Sequence, residues 1–197
     1  DWGFLKGKSL AEIANCMTAM SKLGCGEVFM DAIDDMIYGN TDHHIREVEA
    51  NWLNYKTHVF VAMQKMENMM ADRKNLATYK NGAHFMDVSF LNTALERIDA
   101  RKMNGVCAGI AANTKLLPGG KGIFFTGVKG IDEIDGKRQE CYKISGRATS
   151  GQTYGDVKIN SFMEMYGGGG HGAAAACKIP AQKLDEFLDD MGRFDFY

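Results

Sequence analysis

Proline is almost absent from this chain, 2 residues in 197, which excludes a Pro-rich linker or a collagen-like repeat. No Cys-x-x-Cys pair occurs: Cys16, Cys25, Cys107, Cys141 and Cys177 are odd in number and widely spread. That pattern points to neither a zinc site nor a disulfide framework, and it fits a reducing, cytoplasmic setting. The opening Asp1-Trp2-Gly3-Phe4-Leu5-Lys6 lacks the basic start and apolar core of a secretory signal. No apolar run approaches the roughly 18 residues of a membrane span. The net charge is only −2, so no global positive field announces nucleic acid. An initiator methionine is missing as well, as expected for a piece of something longer. Glycine is what the chain has in excess, 23 of 197 residues against an average of about 7%. A 45% apolar and 24% charged composition is that of an ordinary folded protein. A chain of this length buries roughly 70% of its unfolded surface without any staple.

The first 70 residues read as helical. Ser9 is a plausible N-cap, after which Leu10, Ile13, Met17 and Met20 recur at helical spacing up to Gly24. A second helix is expected over 27–37, closed by Gly39-Asn40. The strongest period follows in Ile45, Val48, Trp52, Tyr55, Val59, Met63, Met66 and Met70, one apolar face on a helix of nearly 30 residues. The Met-rich end suits adaptable core filling. From Asn75 the texture alternates. Asp87-Val88-Ser89 opens a helix to Ile98, and residues 106–111 read as a buried strand. Pro118-Gly119-Gly120 is a turn, 122–127 a second strand and 141–147 a third. Residues 157–165 are helical, and Gly167–Gly170 interrupt them. Residues 173–179 read as a strand although their alanines favour helix locally. A last amphipathic helix over 183–191 turns Leu184, Phe187 and Leu188 inward. The expected fold is α/β: a helical segment over 1–74, then a mixed sheet packed with helices over 75–197.

Charge follows the same division. Residues 1–70 carry six Lys/Arg against ten Asp/Glu, whereas 137–178 carry six against three. The basic stretch surrounds Tyr166-Gly167-Gly168-Gly169-Gly170-His171-Gly172. Consecutive glycines let backbone N–H groups approach and cradle an anion, most often a phosphate. His171 can donate to a phosphate oxygen. A flexible linker would carry Ser and polar partners instead of lying between a helix and a small apolar run.

Four glycines and a His before small residues, with Lys143-Ile144-Ser145-Gly146-Arg147 upstream and a helix over 156–166, resemble the DHHA1 domain of the DHH phosphoesterase superfamily. The resemblance covers roughly residues 75–190. Among its branches the chain looks most like the RecJ-like single-strand exonucleases. The hints are Ala14-Asn15-Cys16, Ser21-Lys22-Leu23-Gly24 and the helix through Asn54-Tyr55-Lys56. Where relatives have Ala-Ala-Gly, this chain has Ala174-Ala175-Ala176, which changes what packs behind the loop. The resemblance implies that Gly167, Gly168, Gly169, Gly170 and His171 bind a substrate phosphate and that Arg147 pairs with it, with Ser145 and Lys143 as secondary candidates. It also implies a DHH catalytic domain, in cis or in trans, holding two Mn²⁺ or Mg²⁺ ions that activate water for attack on a phosphodiester. This chain alone would then be inactive.

Asp42-His43-His44 spells the superfamily's name, yet it follows the turn Tyr38-Gly39-Asn40-Thr41 and immediately precedes the apolar stripe. Thr41 or Asp42 fits better as a helix N-cap than as part of a metal site. His58 and His84 read as surface or satisfied structural residues, and Asp31, Asp34 and Asp35 as an exposed helix face. Trp52 reads as core. Lys121 beside Gly119-Gly120 lacks P-loop spacing. The leading expectation is the substrate-binding part of a phosphoesterase for single-stranded or short oligonucleotides, with no membrane partner. The alternatives are a stand-alone nucleic-acid-binding module, like the glycine-rich domain that ends alanyl-tRNA synthetases, an inactive RecJ-like scaffold, and a phosphodiesterase for small nucleotides.

Overall fold

A computed structural model describes residues 9–23, 25–38, 43–72, 75–94, 100–112, 122–149 and 156–197. By its internal contacts the chain forms two units, one of residues 1–61 and 95–99, the other of 62–94 and 100–197. The first is helical: α1 (Leu10–Leu23), α2 (Gly26–Tyr38) and the start of α3 (His43–Ala71). Ser9 does cap α1, in a reciprocal box. Its hydroxyl accepts from the Glu12 amide at 3.3 Å, and the Glu12 carboxylate accepts from the Ser9 amide at 2.8 Å. Cys16, Ala19, Met20, Phe29, Ala32, Ile45 and Val48 form the buried cluster, with Trp52 and Tyr55 packed partly against it. Met17 departs from the expected stripe and is exposed, because the buried face of α1 runs through Cys16, Ala19 and Met20. The α3 stripe holds along the helix, with Val48, Met66 and Met70 buried.

The second unit is built on a mixed sheet of β1 (Leu76–Thr78), β2 (Ala83–Asp87), β3 (Ile123–Ile134), β4 (Lys137–Ala148), β5 (Gly169–His171) and β6 (Ala174–Pro180). Their order is β1-β2-β3-β4-β6-β5, with only β2 and β3 parallel. The expected mixed α/β architecture is therefore present. β3 and β4 form one long hairpin closed by Asp135-Gly136, both at positive φ (52° and 74°), the turn that suits the twist of the flanking strands. After β2, Asp87 accepts from the Ser89 amide at 2.8 Å and from the Tyr142 hydroxyl at 2.8 Å. The described part of the helix expected there is short, α4 (Leu91–Ala94), and Ile98 lies outside the described residues.

One expectation is overturned. Residues 106–111 are not a strand but part of the helix α5 (Ala100–Ala112). Met103, Cys107, Ala108, Ala111 and Ala112 are buried at helical spacing. The small residues let the helix lie close on β3 and β4, which a short apolar run bounded by glycines does not reveal by itself. The alanine-rich 174–180 segment is a strand, held between β4 and β5.

Because side chains alternate along a strand, the sheet has two distinct faces. One carries Phe125, Tyr142, Ile144, Ala175, Cys177 and Ile179 against α6 (Ile159–Glu164) and α7 (Leu184–Arg193). There Phe125, Phe162, Phe187 and Phe196 pack mostly edge to face, as close as 5.0 Å between the centroids of Phe162 and Phe187. On α7 the buried residues are Phe187 and Met191, with Leu184 and Leu188 partly buried. The opposite face carries Phe124, Thr126, Ser145 and Arg147, and α5 covers part of it.

Candidate phosphate-binding face

Arg147 lies near the end of β4, directly opposite Phe124 of β3 on one side and Ala174 of β6 on the other. Ala174 in turn is opposite His171 of β5. Arg147, Ala174 and His171 thus form one cross-strand row, and residues in such a row point to the same face. Two strand spacings separate Arg147 from His171, about 10 Å along the hydrogen-bonding direction. Only the small side chain of Ala174 lies between them. His171 is exposed and Arg147 half-buried.

Arg147 is the unusual group in this row. Its Nη1 donates to the Gly146 carbonyl at 2.7 Å, and among the described residues no carboxylate pairs with it. Burial lowers its pKa from the ordinary guanidinium value, although the group stays protonated at neutral pH. A partly desolvated cation with no carboxylate partner among the described residues favours an approaching anion. Ser145, buried two residues away on the same face, sits beneath α5, opposite Ala176. Lys143 is opposite Lys178, four residues and roughly 13 Å down the strand from Arg147. The structure brings Arg147, Ser145 and His171 to one end of this face and leaves Lys143 toward the other.

The glycine loop is shaped by two neighbours. Gly167 takes φ 69° and ends α6. Its amide donates to the Glu164 carbonyl at 3.1 Å, and the Gly168 amide donates to the Met163 carbonyl at 2.9 Å. This is the Schellman pattern of a helix end. Both amides are committed within the fold, and alternate amides of the next three residues, Gly169–His171, bond the neighbouring strand β6, so only an outward-facing amide of β5 is left for an anion. Gly168 and Gly170 face the neighbouring strand, where a Cβ would stand 2.3 Å from the Ala176 carbonyl or 2.4 Å from that of Ala174. Gly169 differs, since a Cβ there meets nothing within 4 Å. In the turn between β5 and β6, the Gly172 carbonyl accepts from the Ile159 amide at 3.0 Å, tying the loop to the start of α6.

Other sequence candidates fall elsewhere. His44 stands in the first turn of α3 and holds Asp35 of α2 at 2.8 Å; Asp42 lies outside the described residues. Asp35 is therefore buried and paired, not part of an exposed acidic face, although Asp31 and Asp34 are exposed. His58 bonds the Asn54 carbonyl, and the buried His84 bonds Thr78 and stacks on Phe124. Trp52, only partly buried, stacks on Tyr55. Pro118-Gly119-Gly120 and Lys121 lie outside the described residues. A cleft of about 540 Å³ opens by the β3–β4 turn, lined by Tyr166, Lys178, Lys183, Glu186 and Asp190 among others. Its mixed charges do not single out an anion. Among the described residues no three His, Cys, Asp or Glu side chains gather to hold a metal ion, and no helix is long and apolar enough to cross a membrane.

Comparison with known proteins bears on this geometry. The model of the DHHA1 domain matches residues 88–194. No curated protein matches the chain in sequence. Among solved structures, the fold is similar to that of the pGpG-specific phosphodiesterase PggH from Vibrio cholerae, with a TM-score of 0.55 and 14% identity. That similarity covers 98% of this chain and 60% of the phosphodiesterase, so the chain spans little more than half of that protein's length. With its match extending over more than half of its residues, this chain belongs to the DHHA1 domain family of the DHH superfamily.

Proposed function

We propose that this chain is the substrate-binding part of a DHH-family phosphoesterase acting on short or single-stranded oligonucleotides, in which Arg147 and His171 grip a phosphate. The observation that carries the reading is the half-buried Arg147 guanidinium, without a carboxylate partner among the described residues, in one row with His171 across Ala174. Amides of β5 would add donors at the sheet edge. Mn²⁺ or Mg²⁺, supplied by a DHH domain in cis or in trans, would activate the attacking water. In this reading the residues of this chain bind and orient the strand. A RecJ-like exonuclease acting in the cytoplasm is the form of this activity that the α1 and α3 motifs suggest. The likeness to a pGpG-specific enzyme favours a second form, a phosphodiesterase for linear dinucleotides, which the same row would serve.

Fluorescence anisotropy of an end-labelled, 5′-phosphorylated tetranucleotide tests the reading. The expected result is a steady rise that weakens as salt increases, with Arg147→Ala reducing affinity roughly a hundredfold, the scale of a lost charge-assisted pair. His171→Ala should reduce it about tenfold, with thermal unfolding unchanged in both variants. Equal affinity in all three proteins would rule out this face as the phosphate site. In the presence of Mn²⁺, decay of the signal below its starting value, abolished in the same variants, would show that this chain cleaves by itself.

A further inference from the structure

Arg147 rests against a helix, and three features of α5 bear on its placement. Fully buried Asn104 donates from Nδ2 to carbonyls on two different strands, Thr126 of β3 at 3.1 Å and Lys143 of β4 at 2.7 Å. Thr126 Oγ1 donates back to the Asn104 carbonyl at 3.0 Å. Together these bonds fix both the rotation and the slide of α5 on the sheet. The next residue is Gly105, and a Cβ placed there would stand 3.0 Å from Arg147 Nη2 and 3.9 Å from Ser145 Oγ. The guanidinium therefore packs where any other residue would put a side chain, while Nη1 is held from the strand side by the Gly146 carbonyl. The clamp is not the most stable filling available. Among the described residues Asn104 Oδ1 is buried without a partner, and an orphaned acceptor is destabilising. An apolar residue would avoid that penalty but could not bridge the two carbonyls.

We propose that Asn104-Gly105 positions the phosphate-binding arginine: Asn104 sets α5 on β3 and β4, and Gly105 leaves the gap that seats the Arg147 guanidinium in the row of Ala174 and His171. Its functional consequence rests on the phosphate reading above, whereas the positioning can be read without any ligand. The experiment follows the Arg147 Nε–Hε resonance by ¹⁵N NMR, assigned by its loss in Arg147→Ala, alongside thermal unfolding and anisotropy with the same 5′-phosphorylated tetranucleotide. Gly105→Ala should shift that resonance and weaken affinity about tenfold. Its unfolding temperature should hold or rise, because Ala favours the helix over Gly. Added to Arg147→Ala, it should weaken binding no further. Asn104→Ala, which adds no atom, is the second variant and should broaden the same resonance and weaken affinity. A resonance unmoved in both variants overturns the positioning, whatever the ligand does. A lowered unfolding temperature with unchanged affinity in Gly105→Ala also overturns it, in favour of packing alone. A shifted resonance while Arg147→Ala and His171→Ala leave affinity untouched overturns the phosphate reading instead, and the functional half of the proposal with it.

Discussion

At the scale of single residues, the glycines before His171 are not equivalent. Gly168 and Gly170 are required by contact with β6, since a Cβ at either position would overlap backbone atoms that cannot move without unpairing the strand. Gly168→Ala and Gly170→Ala are each expected to destabilise by about 3 kcal/mol, the upper range for overpacking, read by denaturant unfolding. Gly169→Ala should leave stability unchanged, because its added methyl meets open space. Equal losses at all three positions would contradict the packing described here. Thiols offer a second contrast. Burial pushes the Cys177 thiol up to about 12, and Cys16, Cys107 and Cys141 are buried as well, whereas Cys25 is half-buried. A thiol-reactive dye at pH 8 should therefore modify Cys25 first and the other four only on unfolding, as peptide mapping would show.

At the scale of elements, α2 and α3 meet through an ionisable pair. The hydrogen bond that half-buried His44 donates to the Asp35 carboxylate raises the pKa of its ring, and the charges of Asp35, Asp31 and Glu47 add to the effect. A His whose folded pKa is raised contributes stability that is fully present below its unfolded value of 6.5 and disappears as pH rises through the folded value. Melting of the wild-type protein should thus fall over a window that opens at pH 6.5 and extends above it, and His44→Gln should flatten that slope. An identical pH profile in the variant would show that the pair contributes nothing. The strands expected over 122–127 and 141–147 cover only part of β3 and β4, and the turn signal Asp135-Gly136 that joins them in one hairpin was missed. Strands β1 and β2 were harder to see. They are short, and most of β2 is buried rather than alternating, so periodicity does not mark them.

On the scale of the whole molecule, the two units have unequal cores. The sheet unit buries an aromatic cluster between β-strands and two helices, whereas the cluster of the helical unit is smaller and built largely of Cys, Ala, Met and Val around Phe29. Local opening follows buried apolar contact. Amide hydrogen exchange should therefore be slowest in the paired part of β3 and β4 and faster throughout α1 and α2. Uniform protection over both units would mean that they open as one cooperative body.

Local chemistry was enough to determine much of this protein. The capped apolar helix after Ser9, the long stripe from Ile45 to Met70 and the last amphipathic helix all follow from side chains three and four residues apart, and such neighbours interact wherever the helix packs. The glycines before His171 stand out by residue type and adjacency, whereas Arg147 was singled out only through the resemblance to the DHHA1 family. Tertiary structure decided the rest. Val106, Cys107 and Ile110 suit a buried strand as well as a helix, and only the close approach to β3 and β4 selects helix α5. Four consecutive alanines would favour a helix in isolation, yet Ala174–Ala176 enter strand β6 because β4 and β5 supply backbone partners on both sides. The placing of Arg147 and His171 in one row across Ala174 is likewise a matter of register, which long-range pairing sets and no local window contains.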